Sequence, residues 1–261
     1  MFPVLSLFMD VLTVNRLELL NFMNGSAGSG HHTAMTAFIG EPLAVGLILH
    51  YLTRQNKQPE FISWKVTPGT NRGSRLDAWI ADGAGTLYQT EIKMWAGNAI
   101  GGLRVKADAD AATLLAGGQK QWARLWNSES GQLIADTVSK VLKRMDVPKG
   151  YVADDVEPLL CLWWPVNPTD EPGPWFRLPV TRTDEQPFDS LNVFSLTHYL
   201  MGLEEDTIDL RMPVVLNRLE WLGRLLSPPG QHWTDVFHAR NRIYGDAEVS
   251  IIAPSADETD L

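Results

Sequence analysis

The sequence predicts an α/β chain of the mixed α+β kind: a small central mixed sheet flanked by helices, with helical additions at both ends. Three observations predict it. Segments rich in strand formers, Phe61–Thr67, Arg75–Ala81 and Thr86–Trp95, follow one another with turn and loop residues between them. Helical periodicity fills the stretches before and after these segments. A wholly apolar run, Leu159–Val166, then asks for burial on both faces, as an interior strand of a parallel sheet does.

Taken in order, Leu5–Met23 reads as an amphipathic helix. No cationic segment precedes its apolar start and no small-residue cleavage site follows, so a signal peptide is not expected and the cytoplasm is the expected location. Asn24–Gly30 is a flexible connection. His31 stands where a phosphate-binding loop needs lysine, so these glycines read as linker. Thr33–Thr53 is helical, with Pro42 marking either the first turn of the main helix or a kink. Pro68-Gly69 ends the first strand, and Asp82-Gly83-Ala84-Gly85 is the hairpin turn between the second and third. Asp108–Asn127 and Gln132–Met145 read as helices, the first broken or bent at Gly117-Gly118. Pro165–Pro179 reads as proline-rich loop, Ser190–Leu203 and Pro213–Leu226 as helices, and Asp246–Leu261 as an acidic, frayed end. The expected organisation is an N-terminal helix and linker over 1–30, a core over 31–166, and an acidic, mostly helical extension over 167–261 packed on the core.

The 261 residues carry 22 basic and 31 acidic side chains, net −9. The charge is uneven: residues 1–56 are net −1, residues 57–149 net +4 and residues 150–261 net −12. Overall acidity argues against a nucleic-acid binder, but a distant acidic face is screened within about 10 Å, so a basic groove in the middle third stays open. One cysteine, Cys161, excludes a disulfide framework and a multi-cysteine zinc site. No apolar run is long enough to span a membrane, and none is expected to bind one.

Asp77, Glu91 and Lys93 carry the chemistry. Glu91 and Lys93 are two apart on one predicted strand and share a face, with Gln89 beside them. On the neighbouring strand Asp77 and Trp79 face the same way. A three-residue loop, Gly83–Gly85, pairs Asp82 with Thr86 and sets Asp77 opposite Glu91, whereas a two- or four-residue loop sets Asp77 opposite Thr90; Gly85, suited to the left-handed region, favours the three-residue loop. Two close carboxylates repel, and a divalent cation relieves this. Mg²⁺ prefers such oxygen ligands together with waters and a substrate phosphate. Asp77, Glu91 and the Ile92 carbonyl are its expected ligands, with Mn²⁺ expected to substitute. Lys93 then sits near the attacking water and offsets charge developing on phosphorus. The face reads as polar, so replacing Glu91 or Lys93 is expected to leave the fold intact.

Asp77 followed by Glu91-Ile92-Lys93 after a hairpin resembles the PD-(D/E)XK nuclease superfamily with its restriction-endonuclease-like core, and the order of elements from Thr33 to Val166 is similar to that core. Leu76 stands where the family name has proline. The resemblance implies a role for a glutamate on the first helix, matched by Glu41 as an outer-sphere metal contact. It also implies a glutamine on the second helix, matched by Gln119 or Gln121, Gln121 being taken as the helper. It implies a Mg²⁺-dependent nuclease, an endonuclease on DNA above all, of the kind that serves restriction, repair or anti-phage defence. The alternative is a non-catalytic nucleic-acid-binding or assembly subunit that keeps the core, with self-association or a partner subunit engaged through the C-terminal region.

Overall fold

The computed structural model describes residues 9–24, 39–66, 75–93, 111–126, 132–163, 165–169 and 173–213. Its elements are β1 (Met9–Asn15), α1 (Arg16–Asn24), α2 (Glu41–Arg54), β2 (Glu60–Val66), β3 (Leu76–Ala81), β4 (Leu87–Lys93), α3 (Ala111–Trp126), α4 (Gln132–Val141), β5 (Val156–Leu162), β6 (Trp175–Pro179), β7 (Ser190–Ser195), α5 (Leu196–Met201) and β8 (Thr207–Pro213). Six strands form a mixed sheet in the order β2-β3-β4-β5-β7-β6. The β2-β3-β4 part is antiparallel, β4-β5-β7 is parallel, and β6 closes the far edge antiparallel to β7. β1 and β8 form a separate antiparallel ribbon. The fold is thus mixed α+β around a central mixed sheet, as the sequence predicts. All described residues fall within one compact unit, Met1–Val215.

Both faces of the sheet are covered. Leu159, Leu160, Cys161 and Leu162 of β5 are all buried, the two-sided burial that the apolar run requires. On one face lie Trp122 of α3 and Val138 and Val141 of α4, packed with Leu160, Leu162, Phe176 and Val193. Trp122, buried, meets Phe176 edge-on at 6.4 Å and is a core residue. α2 is buried from Pro42 through Leu49 and again at Leu52. A helix this apolar all round has to be packed on several sides. Pro42 lies in its first turn, where a missing N–H costs nothing, which settles the choice against a kink. Gly46 lets α2 approach β8: a Cβ there would lie 2.7 Å from Met212 Cγ and 3.3 Å from the Arg211 carbonyl.

Four expectations are corrected. Met9–Asn15 is a strand, not part of a helix; its half-buried and exposed residues alternate, and its β-branched Val11, Thr13 and Val14 suit a pleated ribbon. The helix starts only at Arg16, where the Asn15 side chain accepts the Glu18 N–H at 2.9 Å as an N-cap. Ser190–Ser195 is likewise a strand, wedged between β5 and β6; its helical periodicity belongs only to Leu196–Met201, which Ser195 caps. The stretch read as proline-rich loop ends in β6, an edge strand that tolerates Pro179 at its terminus. α3 runs unbroken through Gly117-Gly118. Residues after Val166 therefore add two strands to the central sheet and one to the ribbon. The linker glycines with His31 and His32, the helix expected over Pro213–Leu226 and the acidic end lie outside the described residues.

Candidate active site on the β3–β4 hairpin

The hairpin turn decides what the site contains. The Asp82 N–H donates to the Thr86 carbonyl at 3.0 Å, so the loop is Gly83–Gly85, the three-residue turn that the sequence favours. Gly83 and Gly85 have φ of 73° and 113°. At Gly83 a Cβ would also fall 2.3 Å from the Gln58 carbonyl, which leaves room for glycine alone. The ladder then runs from Ala81↔Leu87 to Ala78↔Thr90. Continuing this register sets Asp77 against Glu91. There the Asp77 side chain takes over from the backbone: its Oδ2 accepts the Ile92 N–H at 2.7 Å.

Glu91 is fully buried, at 0% exposure. Lys93 Nζ lies 2.5 Å from its Oε1, as strand alternation places residues two apart on one face. A second ammonium arrives from α4: Lys140 Nζ donates to both Glu91 oxygens at 2.8 Å. The delivery of Lys140 has a visible cause. The last carbonyls of a helix lack intrahelical partners. Buried Gln89, two residues before Glu91, donates its Nε2–H groups to the carbonyls of Val141 at 2.6 Å and Lys143 at 2.7 Å. Gln89 thus clamps the end of α4 onto β4, and Lys140, next to the clamped Val141, stands over Glu91.

This overturns one expectation. The face bearing Gln89 and Glu91 is not solvated; α4 covers it, and both side chains are buried. A surface salt bridge is therefore not what joins Glu91 to Lys93. Sequence reading also missed Lys140, which is 49 residues from Glu91. The available signal was indirect: two polar residues on a face that must be covered need cations and donors from whatever covers it.

Burial, then the charge of Glu91, push the Asp77 carboxyl up to about 6; Glu41 adds to this, while the Ile92 hydrogen bond and Lys93 work against it. Glu41, exposed in the first turn of α2, thus acts on Asp77 through its charge. Cys161, paired with Ile92 across the parallel ladder, is a buried thiol pushed well up by burial, with the Asp77 charge adding to it.

The structure brings Asp77, Glu91, Ile92 and Lys93 together and sets Glu41 within electrostatic reach. It engages the Ile92 N–H. Gln119 is used elsewhere: it donates to the Asn167 carbonyl at 2.6 Å and pins the loop after β5. Gln121 lies on α3, its side chain outside the described residues. Among the described residues no three His, Cys, Asp or Glu side chains form a metal-holding group, and no helix is long and apolar enough to cross a membrane. The oxygens of Asp77 and Glu91 are of the type a hard divalent cation takes; in the structure two ammonium groups already offset the charge of Glu91.

No protein-family model matches this chain, and no curated protein or solved structure gives a significant match.

Proposed function

We propose that the chain is a divalent-cation-dependent phosphodiesterase of the PD-(D/E)XK kind, acting on DNA as an endonuclease. The observation that carries this reading is the meeting of Asp77, Glu91 and Lys93 at the open end of the β3–β4 hairpin, around one buried carboxylate. Asp77 and Glu91 would hold Mg²⁺ or Mn²⁺, with the Ile92 carbonyl as a backbone ligand and Glu41 adding charge from outside the ligand set. When bound, the cation supplies Lewis-acid polarisation of a phosphate oxygen and lowers the pKa of a bound water.

The chain's own residues do the rest. Ile92 N–H fixes the Asp77 carboxylate in orientation. The low-dielectric surroundings of Glu91 strengthen every charge interaction there. Lys93, partly exposed, can turn its ammonium toward a phosphate oxygen and offset charge that develops on phosphorus. The net +4 of residues 57–149 gives a nucleic-acid backbone a favourable approach.

The test is cleavage of supercoiled plasmid, linear duplex and single-stranded DNA, with excess Mg²⁺ or with EDTA. Metal-dependent nicking of the plasmid is expected. Lys93→Met should lower that rate by about 10²–10³ in protein shown to be folded, the usual loss for one preorganised electrostatic stabiliser. Cleavage that persists in EDTA, or none on any substrate, rejects the reading.

A second reading rests on the double pairing of Glu91 with Lys93 and Lys140. A carboxylate neutralised this way can be a structural ion cluster in a non-catalytic binding or assembly subunit. Absent cleavage together with retained DNA binding or a stable oligomer favours it.

A further inference from the structure

Lys140 is where the site exceeds what its three-residue motif requires. Three cations would compete for one carboxylate. Lys93 contacts one oxygen of Glu91, and Lys140 takes both, each at 2.8 Å, from a helix end held in place by Gln89. A bidentate ammonium of this kind covers both oxygens that Glu91 could offer a cation. Lys140 is also itself partly exposed, at 24%, so its ammonium has somewhere to go. Lysine suits such exchange, as a point charge on a flexible four-carbon stem.

We infer that Lys140 is a positioning residue that latches Glu91: its ammonium holds the carboxylate until a divalent cation binds, then swings off to contact a phosphate of the bound nucleic acid. The inference rests on the proposed metal-dependent reading and adds to it a regulated ligand. In the latched arrangement two ammonium groups keep buried Glu91 compensated, so the site stays folded without a metal. In the released arrangement Lys140 has lost its anion and gains by meeting another, and a phosphodiester is the anion that the proposed substrate brings. The same group thus makes cation binding weaker and substrate binding stronger. That opposition separates a latch from a simple structural ion pair.

Two measurements test it. The first uses the wild-type chain: lysines are labelled with an amine-reactive acylating reagent and labelling is read residue by residue by mass spectrometry, with and without Mn²⁺. Lys140 labelling should rise severalfold on adding Mn²⁺, while exposed Lys143, close by beyond the end of α4, should not change. The second is Mn²⁺ calorimetry on wild type, Lys140→Met and Lys143→Met. Lys140→Met should bind Mn²⁺ on the order of tenfold more tightly, because one competing unit charge is gone, yet cleave more slowly; Lys143→Met should match wild type in both. If the wild-type chain binds Mn²⁺ but Lys140 labelling and the affinity of Lys140→Met stay unchanged, the latch is wrong and the metal site stands. If Mn²⁺ does not bind wild type at all, the latch and the reading beneath it fall together. The labelling arm needs no variant, so a Lys140→Met chain that fails to fold does not protect the inference.

Discussion

The two ends of the β3–β4 hairpin each bury a carboxylate, and they treat it differently. At the turn, Asp82 is 1% exposed and accepts the N–H groups of Ala84 at 2.8 Å and Thr86 at 2.9 Å, with Lys57 Nζ at 2.6 Å on its other oxygen. Burial works against its charge, but the Lys57 bond and the two backbone bonds outweigh that and hold its carboxyl below the usual range. At the open end, Asp77 receives one backbone N–H and is pushed up by burial and by Glu91, and Glu91 is held by ammonium groups on flexible stems. Backbone donors cannot leave without unfolding the turn. Ammonium groups can. A carboxylate saturated by the backbone belongs to the structure, and one held by exchangeable cations beside a like charge is poised to change partners.

The sharpest break of this comparison is Glu91→Ala. Cleavage should vanish, since one of the two carboxylate ligands proposed for the cation is lost. Stability should also fall, by about 3–5 kcal/mol, because Lys93 and Lys140 are left partly buried around a hole with no counter-charge. Denaturant melts and the plasmid assay read the two effects separately. A Glu91→Ala chain as stable as wild type would mean that α4 does not depend on the ion cluster.

Asp82→Ala probes the other end and should behave in the opposite way. It removes a buried acceptor from two loop N–H groups and from Lys57, and should cost about 2–3 kcal/mol. The cleavage rate per folded molecule should stay within about twofold, because the lost bonds hold the turn and touch no reacting group. An activity loss as deep as that of Glu91→Ala, in protein shown to be folded, would erase the distinction between the two ends.

Much of the hairpin was legible because its causes are local. Asp82, Gly83 and Gly85 are turn chemistry within five residues, and they set the register that brings Asp77 to Glu91. The apolar run at β5 declared its two-sided burial in the same way. What failed was non-local. Ser190–Ser195 is a strand because β5 and β6 flank it, and an apolar stretch of Leu191, Val193 and Phe194 reads equally as helix until those neighbours are known. Met9–Asn15 is a strand because β8, some 200 residues later, offers an edge. Lys140 escaped for the same reason. Nothing in the spacing of Gln132–Val141 says which of its residues meets Glu91; the clamp from Gln89 decides that, and it exists only once the sheet is covered.

The smallest effect expected is also the most diagnostic of the open end, and it is a change with pH. Asp77 titrates at about 6 in the folded chain against an ordinary 3.8. Between those values the folded state holds a proton that the unfolded state has released, so this group makes stability fall as pH rises from about 4 to 6. Asp77→Asn imitates the protonated form and keeps an oxygen for the Ile92 N–H. In EDTA, wild type and Asp77→Asn should therefore be nearly equal in urea melts at pH 4. At pH 7.5 the variant should be the more stable by about 3 kcal/mol, each pH unit between the folded and unfolded titrations being worth about 1.4 kcal/mol. Excess Mg²⁺ should then stabilise wild type and leave Asp77→Asn almost unmoved, because a cation relieves a repulsion that the variant no longer has. At the turn, Asp82 runs with the opposite sign: its lowered carboxyl contributes stability above the ordinary range and loses it only as pH falls through the folded value. An offset between wild type and Asp77→Asn that stays constant from pH 4 to 7.5 would show that Asp77 is not under the strain its position implies, and the two ends of the hairpin would then differ only in which lysines they use.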